Sequence, residues 1–561
     1  MSNTHGGAFL DPAQAPGTIF TPEDFDAEQR ALFDTARRFC DEQVWPRLPD
    51  IEAKTPGVLE GLMQQASELG LTMLDLPEEH GGLDLPLPVS MRVLESTGRE
   101  QSFMLTLMVQ NGIGSLPVAL FGSDAQKAQW LPGFASGELR GCYCLTEPGS
   151  GSDALAARTT AALDGDQWVL NGTKQFITNA GIADVGFVFA KVQGEVDGAS
   201  GFTCFIVPFD APGVSLGAEE DKLGMYGSST RQVILQDARI PRGNVLGQIG
   251  RGHVIAFNIL NNGRYKLGGT ALGSAKCALD AALDYAAGRK QFGQRIVDFG
   301  MIRRKVGQAA ADIYAVESAI YRAGGAIDAL ANAGGRTGEA KLAALQDFAL
   351  ECSIAKIAGS ELLARVADEA LQMFGGYGFL EEYPAAKYLR DARIARIYEG
   401  TNEINRIVMP RTLLKKLAAG ELTLGAGASD GPGDGPGDGP LASLKAAHAA
   451  CFNAAVERHG SGKGFDADQE LMAHLADMMT AVYLAESTAL RVARHPRRQP
   501  VHDDVAQLVL AQAAAQVAQL AAEAAAHLGI AAPAVVRPAV DVLTLRQRIA
   551  AQVVDAGRCT L

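Results

Sequence analysis

The feature that most constrains the fold is a change in the spacing of apolar residues near residue 141. Residues 21 to about 140 keep apolar residues at helical spacing, and TPEDFDAEQRALFDTARRFCDEQV opens with a helix start signal. Between about 141 and 246, runs such as VGFVFAKV and GFTCFIVPF are short and rich in Val, Ile and Phe, which indicates strands. Helical spacing returns from about 250 to 418. The pattern predicts a β domain inserted between helical parts.

The strand-like part contains a strong turn signal at Asn171 and Gly172, within DQWVLNGTKQFITNA. Asn and Gly both tolerate positive φ, and together they are a preferred two-residue turn between antiparallel strands. The pair therefore predicts a hairpin whose two strands lie before Asn171 and after Gly172.

A second break follows at residues 424–440, LGAGASDGPGDGPGDGP, because Gly, Pro and Asp in this proportion cannot bury a core. The stretch predicts a linker, and the Ala-rich helical runs beyond it are consistent with a small bundle. The predicted fold class is mainly α with an inserted β domain. Its parts are an N-terminal helical domain at 20–140, a β domain at 141–248, a helical bundle at 249–418, a linker at 419–440 and a C-terminal helical extension at 441–561.

Charge and composition argue against several classes of protein. The net charge of −14 disfavours nucleic acid as a main partner, and the apolar runs are too short to predict a helix that spans a bilayer. The first twenty residues contain no Lys or Arg, so we expect no signal peptide and a cytoplasmic location. The eight cysteines are scattered, which is typical of reduced thiols. The nine histidines have no HExxH-like spacing, so we expect no metal.

The stretch RIYEGTNEINR, residues 396–406, places Glu399 and Glu403 four residues apart beside a glycine and two arginines. On a helix these carboxylates would lie on one side and repel each other, so a partner or solvent must offset the repulsion. Two interpretations stay open from these residues alone. Glu399 is either a base that takes a proton from a substrate or part of a charged, solvated helix face.

A second candidate site is CYCLTEPGSGSD, residues 142–153, where helices give way to strands. A strand-like run ends in Thr-Glu-Pro at 146–148, and small residues follow at 149–152. Such a loop lets the backbone approach a flat or phosphorylated ligand, with Thr and Ser hydroxyls as hydrogen-bonding groups. A plain turn has the same composition, so both interpretations stay open.

Six motifs occur in a fixed order: CYCLTEPGSGSD, QFITNAG (175–181), KLGMYGSS (222–229), RKQFG (289–293), QMFGGYGF (372–379) and YEGTNEINR (398–406). Together they resemble the acyl-CoA dehydrogenase family of flavoproteins over roughly residues 20 to 415. With ILNNGR (259–264), DFGMI (298–302) and the C-terminal extension, the chain is most similar to the very-long-chain members. The resemblance implies an N-terminal helical domain, a middle β-barrel, a C-terminal helical bundle and an extra helical domain.

The resemblance also implies FAD as the cofactor. The positions that match the family's contacts to FAD are Tyr143, Leu145, Thr146, Gly151, Ser152, Phe176, Thr178, Arg289, Phe292, Gln372, Gly375, Gly376, Thr401 and Glu403. Phe176 matches an aromatic ring that packs on the isoalloxazine, and Thr178 matches a hydroxyl near its reactive nitrogen. Arg289, Phe292, Gln372 and Gly376 match contacts that cross a dimer interface, which implies a homodimer.

Glu399 matches the family's general base, which removes the α-proton of an acyl-CoA thioester while the β-hydrogen leaves as hydride. Such a base needs desolvation that raises its pKa, and hydrogen bonds must meet the enolate charge. Gly400 would keep side chains away from the thioester, and Arg264 would steady the cleft. Gly263 stands where some relatives carry the base, so that position holds no rival carboxylate. The expected substrate-binding residues are Ser152, Asn261, Arg264 and Gly400.

The predicted function is FAD-dependent α,β-dehydrogenation of a medium to very long chain acyl-CoA in fatty-acid β-oxidation, with electrons passed to electron-transferring flavoprotein. Two alternatives stay open: an acyl-CoA oxidase that uses O₂, and a non-catalytic assembly or scaffold protein with the same fold. Gly112, Gly114 and Ser115 fall where relatives line the acyl tail, and they either leave room for a long tail or allow close packing. The acidic, Gly/Pro-rich linker favours no strong membrane association.

Overall fold

The computed structural model describes residues 5–11, 17–425, 439–460, 462–559 and 561. These residues are mainly helical and include one eight-stranded sheet. The chain divides into two compact units, each built from separate stretches. The helical unit contains Met1–Phe25, Ala271–Leu330 and Asp347–Leu561, and the β unit contains Asp26–Thr270 and Ala331–Gln346. Of the predicted linker, residues 426–438 lie outside the described residues.

The elements follow the predicted order of helices, strands and helices. Before the sheet lie α1 Ala27–Phe39, α2 Leu48–Glu52, α3 Val58–Glu68, α4 Leu87–Glu95, α5 Gln101–Gln110, α6 Leu116–Phe121 and α7 Asp124–Ser136. The strands are β1 Gly141–Cys144, β2 Thr160–Asp164, β3 Gln167–Thr178, β4 Val185–Val196, β5 Ala199–Pro208, β6 Val214–Glu219, β7 Thr230–Pro241 and β8 Val245–Leu246.

The remaining elements contain most of the helical unit. They begin with the long helix α8 Gly252–Gly288 and a short ribbon of β9 Lys290–Gln291 and β10 Gln294–Arg295. Next come α9 Gly300–Ala333, α10 Gly338–Asp347, α11 Ala349–Phe374, α12 Pro384–Ala392 and α13 Asn402–Ala418. The extension contains α14 Pro440–His459, α15 Lys463–Ala467, α16 Gln469–Arg494, α17 Pro500–Leu528 and α18 Val542–Ala556.

The first long helix begins later than its start signal predicts. Thr21 precedes a separate 3₁₀ turn, Pro22–Asp24, and donates its backbone N–H to the Asp24 carboxylate at 2.8 Å. Asp26 then caps α1 by accepting a hydrogen bond from Gln29 N at 2.8 Å, and Gln29 accepts one from Asp26 N in return. Two successive caps therefore satisfy N–H groups that a helix start leaves without intrahelical partners.

Seven of the eight strands lie in the order β6-β7-β3-β2-β4-β5-β8, and the eighth, β1, pairs with β4 in parallel. Successive side chains of β1 point to opposite faces. Cys142 and Cys144 join one hydrophobic cluster, which includes Trp168, whereas Tyr143 and Leu145 join another. All eight cysteines of the chain are free thiols, as their scattered positions predict.

The prediction of a hairpin turn at Asn171 and Gly172 is wrong. β3 continues through both residues, and the turn between β2 and β3 contains Gly165, whose φ is +60°. Asn171 lies instead at an irregularity in the pairing of β3 with β7, where it exchanges hydrogen bonds of 2.9 and 3.0 Å with Asp237. A β-bulge requires unusual backbone angles as a tight turn does, so Asn-Gly suits both.

Close backbone packing explains the small residues near the end of α5. A Cβ on Gly114 would lie 2.6 Å from the carbonyl oxygen of Gly141, at the start of β1. Gly112 and Ser115 are also buried, and Ser115 Oγ donates to Gln110 O at 2.5 Å. Of the two interpretations, the structure supports close backbone packing. Gly112, Gly114 and Ser115 therefore give no support for a long acyl tail.

Buried ion pairs join the C-terminal extension to the rest of the helical unit. Arg491 of α16 lies 2.6 Å from Glu23 Oε1 and 2.9 Å from Glu317 Oε2 of α9. Arg322 of α9 lies 2.7 Å from Glu486 Oε2 of α16. Removing one partner of such a pair leaves an uncompensated buried charge, at a cost of roughly 3–5 kcal/mol. The pairs therefore fix α16 against α9.

Helix α17, Pro500–Leu528, is long and apolar enough to cross a membrane by length and composition alone. The expectation that the apolar runs are too short for this is therefore wrong for α17. Within the helical unit, α17 packs against α14, α16 and α18, and it buries residues such as Leu508 and Val517. This packing buries 39% of the most apolar window of α17.

Candidate active site

Glu399 lies on a loop between a 3₁₀ turn and a helix. The turn is Arg393–Arg396, and α13 begins at Asn402. The backbone of Glu399 has φ +58° and that of Gly400 has φ +77°, so two consecutive residues are left-handed. The interpretation of Glu399 as part of a charged helix face does not hold, since Glu403 belongs to α13 and Glu399 does not.

Two buried side chains hold this loop by its carbonyl groups. Lys356 of α11 donates to Gly400 O at 2.8 Å. Asn405 of α13 donates from Nδ2 to Gly400 O at 2.9 Å and to Thr401 O at 3.0 Å. Neither donor side chain has exposed surface. These hydrogen bonds offset the cost of the left-handed backbone at Glu399, roughly 1–3 kcal/mol, and fix its position.

The groups around Glu399 differ in exposure. Burial raises the pKa of Tyr398, and the negative charges of Glu399 and Asp391 raise it further. Glu403 is exposed, and hydrogen bonds from its own backbone N–H and from the Thr401 side chain hold its pKa below the usual range. Thr401 also caps α13 by accepting a backbone N–H at 3.3 Å. Glu399 is therefore the partly buried carboxylate and Glu403 the solvated one.

An open groove of about 410 Å³ lies in the helical unit. Three of the predicted cofactor contacts, Arg289, Gly375 and Gly376, line it together with Tyr377. The Arg289 guanidinium carbon lies 5.7 Å from the centroid of the Tyr377 ring, within the range of a cation–π contact. Gln372 is exposed on the last turn of α11. The groove offers a cation and unobstructed backbone to an anionic or planar group.

In the helical unit, three large apolar side chains face solvent. Phe292 is 94% exposed with φ +51°, Phe379 is 83% exposed, and Met301 is 78% exposed. The Phe292 ring stands edge-on to Phe299, with 6.1 Å between centroids. We call the two phenylalanines, Phe292 and Phe379, the aromatic surface. Apolar side chains this exposed are typical of a site that contacts a ligand or another chain.

In the β unit, Glu147 holds the loop that follows β1. Its carboxylate lies 2.7 Å from Lys174 Nζ and accepts the backbone N–H of Arg158 at 2.6 Å. Burial by itself would raise the pKa of Glu147, but the charge of Lys174 and these hydrogen bonds lower it overall. Gly151 and Ser152 are exposed on this loop, and a Cβ on Gly151 would meet nothing within 4 Å. Glu147 therefore holds a loop whose backbone is exposed at Gly151 and Ser152.

Phe176 is an exposed aromatic residue close to that loop. It is 62% exposed and has φ +57°, at a second irregularity in the pairing of β3 with β7. Gln175 donates its backbone N–H to Thr146 O at 2.8 Å, so Phe176 and Thr146 are close neighbours. Thr178 ends β3 and is partly buried. The bulge thus holds an aromatic ring outside the core, where it can contact a planar ligand.

Four of the predicted site residues have buried side chains. Tyr143 and Leu145 belong to a hydrophobic cluster of the β unit, and the Tyr143 hydroxyl donates to Ala256 O at 3.3 Å. Asn261 and Arg264 lie one turn apart on α8, where Arg264 Nη1 donates to Asn261 Oδ1 at 3.1 Å. Tyr143 and Leu145 can therefore approach a cofactor mainly through their main chain.

The residues predicted to bind FAD or substrate belong to both units. The β unit holds Tyr143, Leu145, Thr146, Gly151, Ser152, Phe176, Thr178, Asn261 and Arg264. The helical unit holds Arg289, Phe292, Gln372, Gly375, Gly376, Glu399, Gly400, Thr401 and Glu403. Within the β unit, the exposed Phe176 ring and the open loop at Gly151 fit a planar group such as the flavin of FAD. Within the helical unit, Arg289 beside bare backbone at Gly375 and Gly376 fits an anionic group such as a phosphate of FAD.

Domain models of one family match most of the chain. They are the acyl-CoA dehydrogenase N-terminal domain at 26–138, its middle domain at 142–238, its C-terminal domain at 250–414 and a further acyl-CoA dehydrogenase C-terminal domain at 449–530. The chain belongs to the acyl-CoA dehydrogenase family. The fourth match covers much of the C-terminal extension.

Two acyl-CoA dehydrogenases match along most or all of their length. A probable acyl-CoA dehydrogenase of Bacillus subtilis is 41% identical over 504 residues, which are 87% of this chain and 84% of that protein. A crystal structure of an acyl-CoA dehydrogenase complexed with FAD from Bacillus anthracis is 38% identical with a TM-score of 0.94, and each chain is covered completely. The second match includes the C-terminal extension.

Two relatives are named for the acyl length of their substrates, and they do not favour one acyl length for this chain. The human short-chain specific acyl-CoA dehydrogenase is 37% identical over 71% of this chain and 93% of its own. A very long-chain specific acyl-CoA dehydrogenase of Macaca fascicularis is 38% identical over 67% of this chain and 56% of its own. Identity differs by one percentage point, so the family is shown and the acyl length is not.

Sequence reasoning missed the residues that position the site of this acyl-CoA dehydrogenase. Glu147 and Asn405 both lie inside quoted motifs, CYCLTEPGSGSD and YEGTNEINR, where neighbouring residues received the functional roles. Lys174 and Lys356 lie in strand β3 and helix α11, and both are completely buried. Lys356 stands within the apolar run SIAKIAG, a signal that could have found it, because lysine is rarely buried without a partner. Lys174 stands between Thr173 and Gln175 and has no such signal.

Proposed function

We propose that the chain oxidises a straight-chain acyl-CoA of medium to very long acyl length to the trans-2-enoyl-CoA, with FAD as the cofactor, in fatty-acid β-oxidation. Membership of the acyl-CoA dehydrogenase family supports this reaction class. The observation that carries the proposal is the Glu399 loop, a partly buried carboxylate held on left-handed backbone by Lys356 and Asn405. The motifs resembling very-long-chain members support the acyl length.

In the proposed reaction, the Glu399 carboxylate takes the α-proton as the Cα–H bond breaks. A thioester α-proton is weakly acidic, so its base must be held close to the α-carbon and away from bulk water. The hydrogen bonds to Gly400 O and Thr401 O keep the backbone of the base in place during this transfer. The chemistry supplied by bound FAD is acceptance of the β-hydrogen as hydride. Gly400 leaves space for the thioester beside the carboxylate.

We extend the proposal to a homodimer in which each subunit completes its neighbour's cofactor site. The aromatic surface supports this, since a second copy would remove Phe292 and Phe379 from water. The groove that contains Arg289, Gly375 and Gly376 would then contact the cofactor of the other subunit. A separated subunit of such a dimer would lack part of its FAD site.

The proposed electron acceptor is an electron-transferring flavoprotein. The names of the relatives described above support a dehydrogenase over an oxidase, which would pass the electrons to O₂. We also propose a cytoplasmic location without strong membrane association and without nucleic acid as a partner. The net charge of −14 supports the absence of strong membrane association and of a nucleic-acid partner, because a negative protein repels anionic lipid and nucleic acid.

The experiment that tests the function is an anaerobic titration of the purified flavoprotein with butyryl-, octanoyl- and palmitoyl-CoA. We expect octanoyl- or palmitoyl-CoA to bleach the oxidised-flavin absorbance band. Glu399→Gln should retain FAD and bind acyl-CoA, but its bleaching rate should fall by at least about 10²-fold, in the range of a lost general base. Glu457→Gln, at an exposed carboxylate on α14, is the matched control and should bleach like the unmodified chain.

Each other result would replace part of the proposal. Bleaching by butyryl-CoA alone would make the chain a short-chain enzyme, and unchanged bleaching in Glu399→Gln would remove Glu399 as the base. Stoichiometric peroxide during turnover in air would identify an oxidase. A colourless protein that cannot be reconstituted with FAD would favour the scaffold protein.

A further inference from the structure

Three side chains with metal-ligating atoms meet in the helical extension. His459 is the last residue of α14, Asp468 immediately precedes α16, and His527 lies in the last turn of α17. One donor atom of each lies within 4.8 Å of the others. His459 Nε2 is 3.1 Å and His527 Nε2 is 2.7 Å from the same carboxylate oxygen, Asp468 Oδ2.

The approach of His459 to this oxygen is not that of a hydrogen bond. Its Nε2 is buried and 3.1 Å from Asp468 Oδ2, yet it has no partner in hydrogen-bonding geometry. Two atoms that bind one ion at about 2.1 Å lie roughly 3.0–3.4 Å apart, and each points at the ion instead of at the other. The 3.1 Å distance of His459 Nε2 and the direction of this nitrogen match atoms that converge on a shared ion. His527 Nε2 makes a 2.7 Å hydrogen bond to the same oxygen, and a bound ion would replace that hydrogen bond.

Other hydrogen bonds hold two of the three groups in place. The second carboxylate oxygen of Asp468 accepts the backbone N–H of Leu471 at 3.4 Å, which orients the side chain at the start of α16. Arg458 Nη1 donates to the carbonyl oxygen of His527 at 2.5 Å, so it ties the end of α14 to the end of α17. Ligand side chains in metal sites are commonly oriented by such outer hydrogen bonds.

We propose that His459, Asp468 and His527 form a binding site for a divalent transition-metal ion, with Zn²⁺ as the best match. Two imidazole nitrogens and one carboxylate oxygen are a donor set that Zn²⁺ binds, and water completes its coordination. The His527 side chain is 51% exposed, which gives the ion a path from solvent. The ion joins the ends of three helices and stabilises the extension.

The test uses the full-length, untagged flavoprotein, treated with a chelator and then titrated with ZnCl₂ by calorimetry. We expect one Zn²⁺ per chain and a rise in Tm on addition of Zn²⁺, because an ion that binds the folded chain stabilises it. His527→Ala and Asp468→Asn should each weaken Zn²⁺ binding at least about tenfold. Loss of a residue that only orients a ligand already costs about that much in metal affinity, and these two residues are the ligands themselves. Asn is a good helix cap, so Asp468→Asn keeps α16 intact.

His474→Ala is the matched control. His474 pairs with Glu523 at 2.8 Å between the same two helices, α16 and α17, but lies outside the cluster. It should bind Zn²⁺ and gain Tm like the unmodified chain. Binding of well under one equivalent by the unmodified chain, equal affinity in His527→Ala, or loss of binding in His474→Ala would each overturn the proposal, leaving two histidines that share one aspartate.

Discussion

At the scale of single residues, left-handed backbone coincides with the candidate site. Phe176, Phe292 and Glu399 are three of the ten described non-glycine residues with positive φ, and sequence resemblance assigns all three to cofactor or catalysis. Such backbone persists only where surrounding contacts compensate its cost. For Glu399 the compensating contacts are the hydrogen bonds from Lys356 and Asn405. At Glu399, the left-handed backbone therefore marks a residue whose position is fixed by its neighbours.

The role of Asn405 as a positioning residue is testable by Asn405→Ala. The substitution removes the hydrogen bonds to Gly400 O and Thr401 O, so Glu399 should lose its fixed orientation. We expect kcat to fall about 10–100-fold, because small misplacements of a reacting group cost this much. KM for acyl-CoA and FAD content should change by less than about threefold, since the variant affects the chemical step. Steady-state kinetics and flavin absorbance measure these quantities.

The control for this variant is Asn453→Ala, at an exposed asparagine on α14. It should leave both kcat and KM unchanged. If Asn405→Ala instead raises KM at constant kcat, or releases FAD, then Asn405 supports binding and does not position the base.

At the scale of elements, the N-terminal segment docks on α10 and α11 through two backbone N–H groups. Gly6 N donates to Asp347 Oδ2 at 3.1 Å, and Gly7 N donates to Glu351 Oε1 at 2.6 Å. Glu351 is buried, and its second oxygen has no hydrogen-bond partner. Burial raises the pKa of Glu351 to about 7, although the Gly7 hydrogen bond and the charge of Lys416 act in the opposite direction.

This raised pKa predicts that Glu351 makes stability depend on pH. The unfolded chain releases the Glu351 proton near pH 4.3, whereas the folded protein keeps it until about pH 7. The contribution of Glu351 to the free energy of unfolding therefore falls as pH rises through this window. Glu351→Gln cannot ionise and can still accept the Gly7 hydrogen bond. Relative to the unmodified chain, we expect it to gain about 3 kcal/mol between pH 4.5 and 8.

Urea unfolding of both chains at pH 5, 6, 7 and 8 measures this difference. Glu339→Gln, at an exposed carboxylate at the start of α10, is the control and should show no such trend. A constant difference between Glu351→Gln and the unmodified chain across the four pH values would mean that Glu351 stays ionised in the folded protein.

At the scale of the whole molecule, the extension is part of one compact unit with the chain before it. Arg491 pairs with Glu23 and Glu317, and Arg322 pairs with Glu486, all within the helical unit. The chain therefore cannot be treated as a conventional core with a separate C-terminal module. The aromatic surface lies on the same unit and remains exposed in the single chain.

The proposed homodimer predicts a mass in solution of twice the chain mass of 59.0 kDa. The double variant Phe292→Asp/Phe379→Asp would bury two uncompensated charges in the interface, so we expect its dimer dissociation constant to rise at least about a hundredfold. FAD content should fall with it. Leu543→Asp, at a residue of α18 that is 62% exposed, is the control and should remain dimeric. Light scattering after size exclusion measures the mass.

A single-chain mass for the unmodified protein would contradict the dimer. So would a double variant that dimerises as strongly as Leu543→Asp. In either case the aromatic surface would need another partner.

The sequence by itself determined the order of helices and strands, because apolar spacing is a local property that burial on one face imposes. It also determined the family, because six ordered motifs match. Only the tertiary structure decided that Asn171 forms a bulge, since a strand partner at Asp237 supplies its hydrogen bonds. It likewise identified Lys356 and Asn405 as supports of Glu399, and His459, Asp468 and His527 as a cluster. Groups far apart in sequence become partners through packing, which no local pattern encodes.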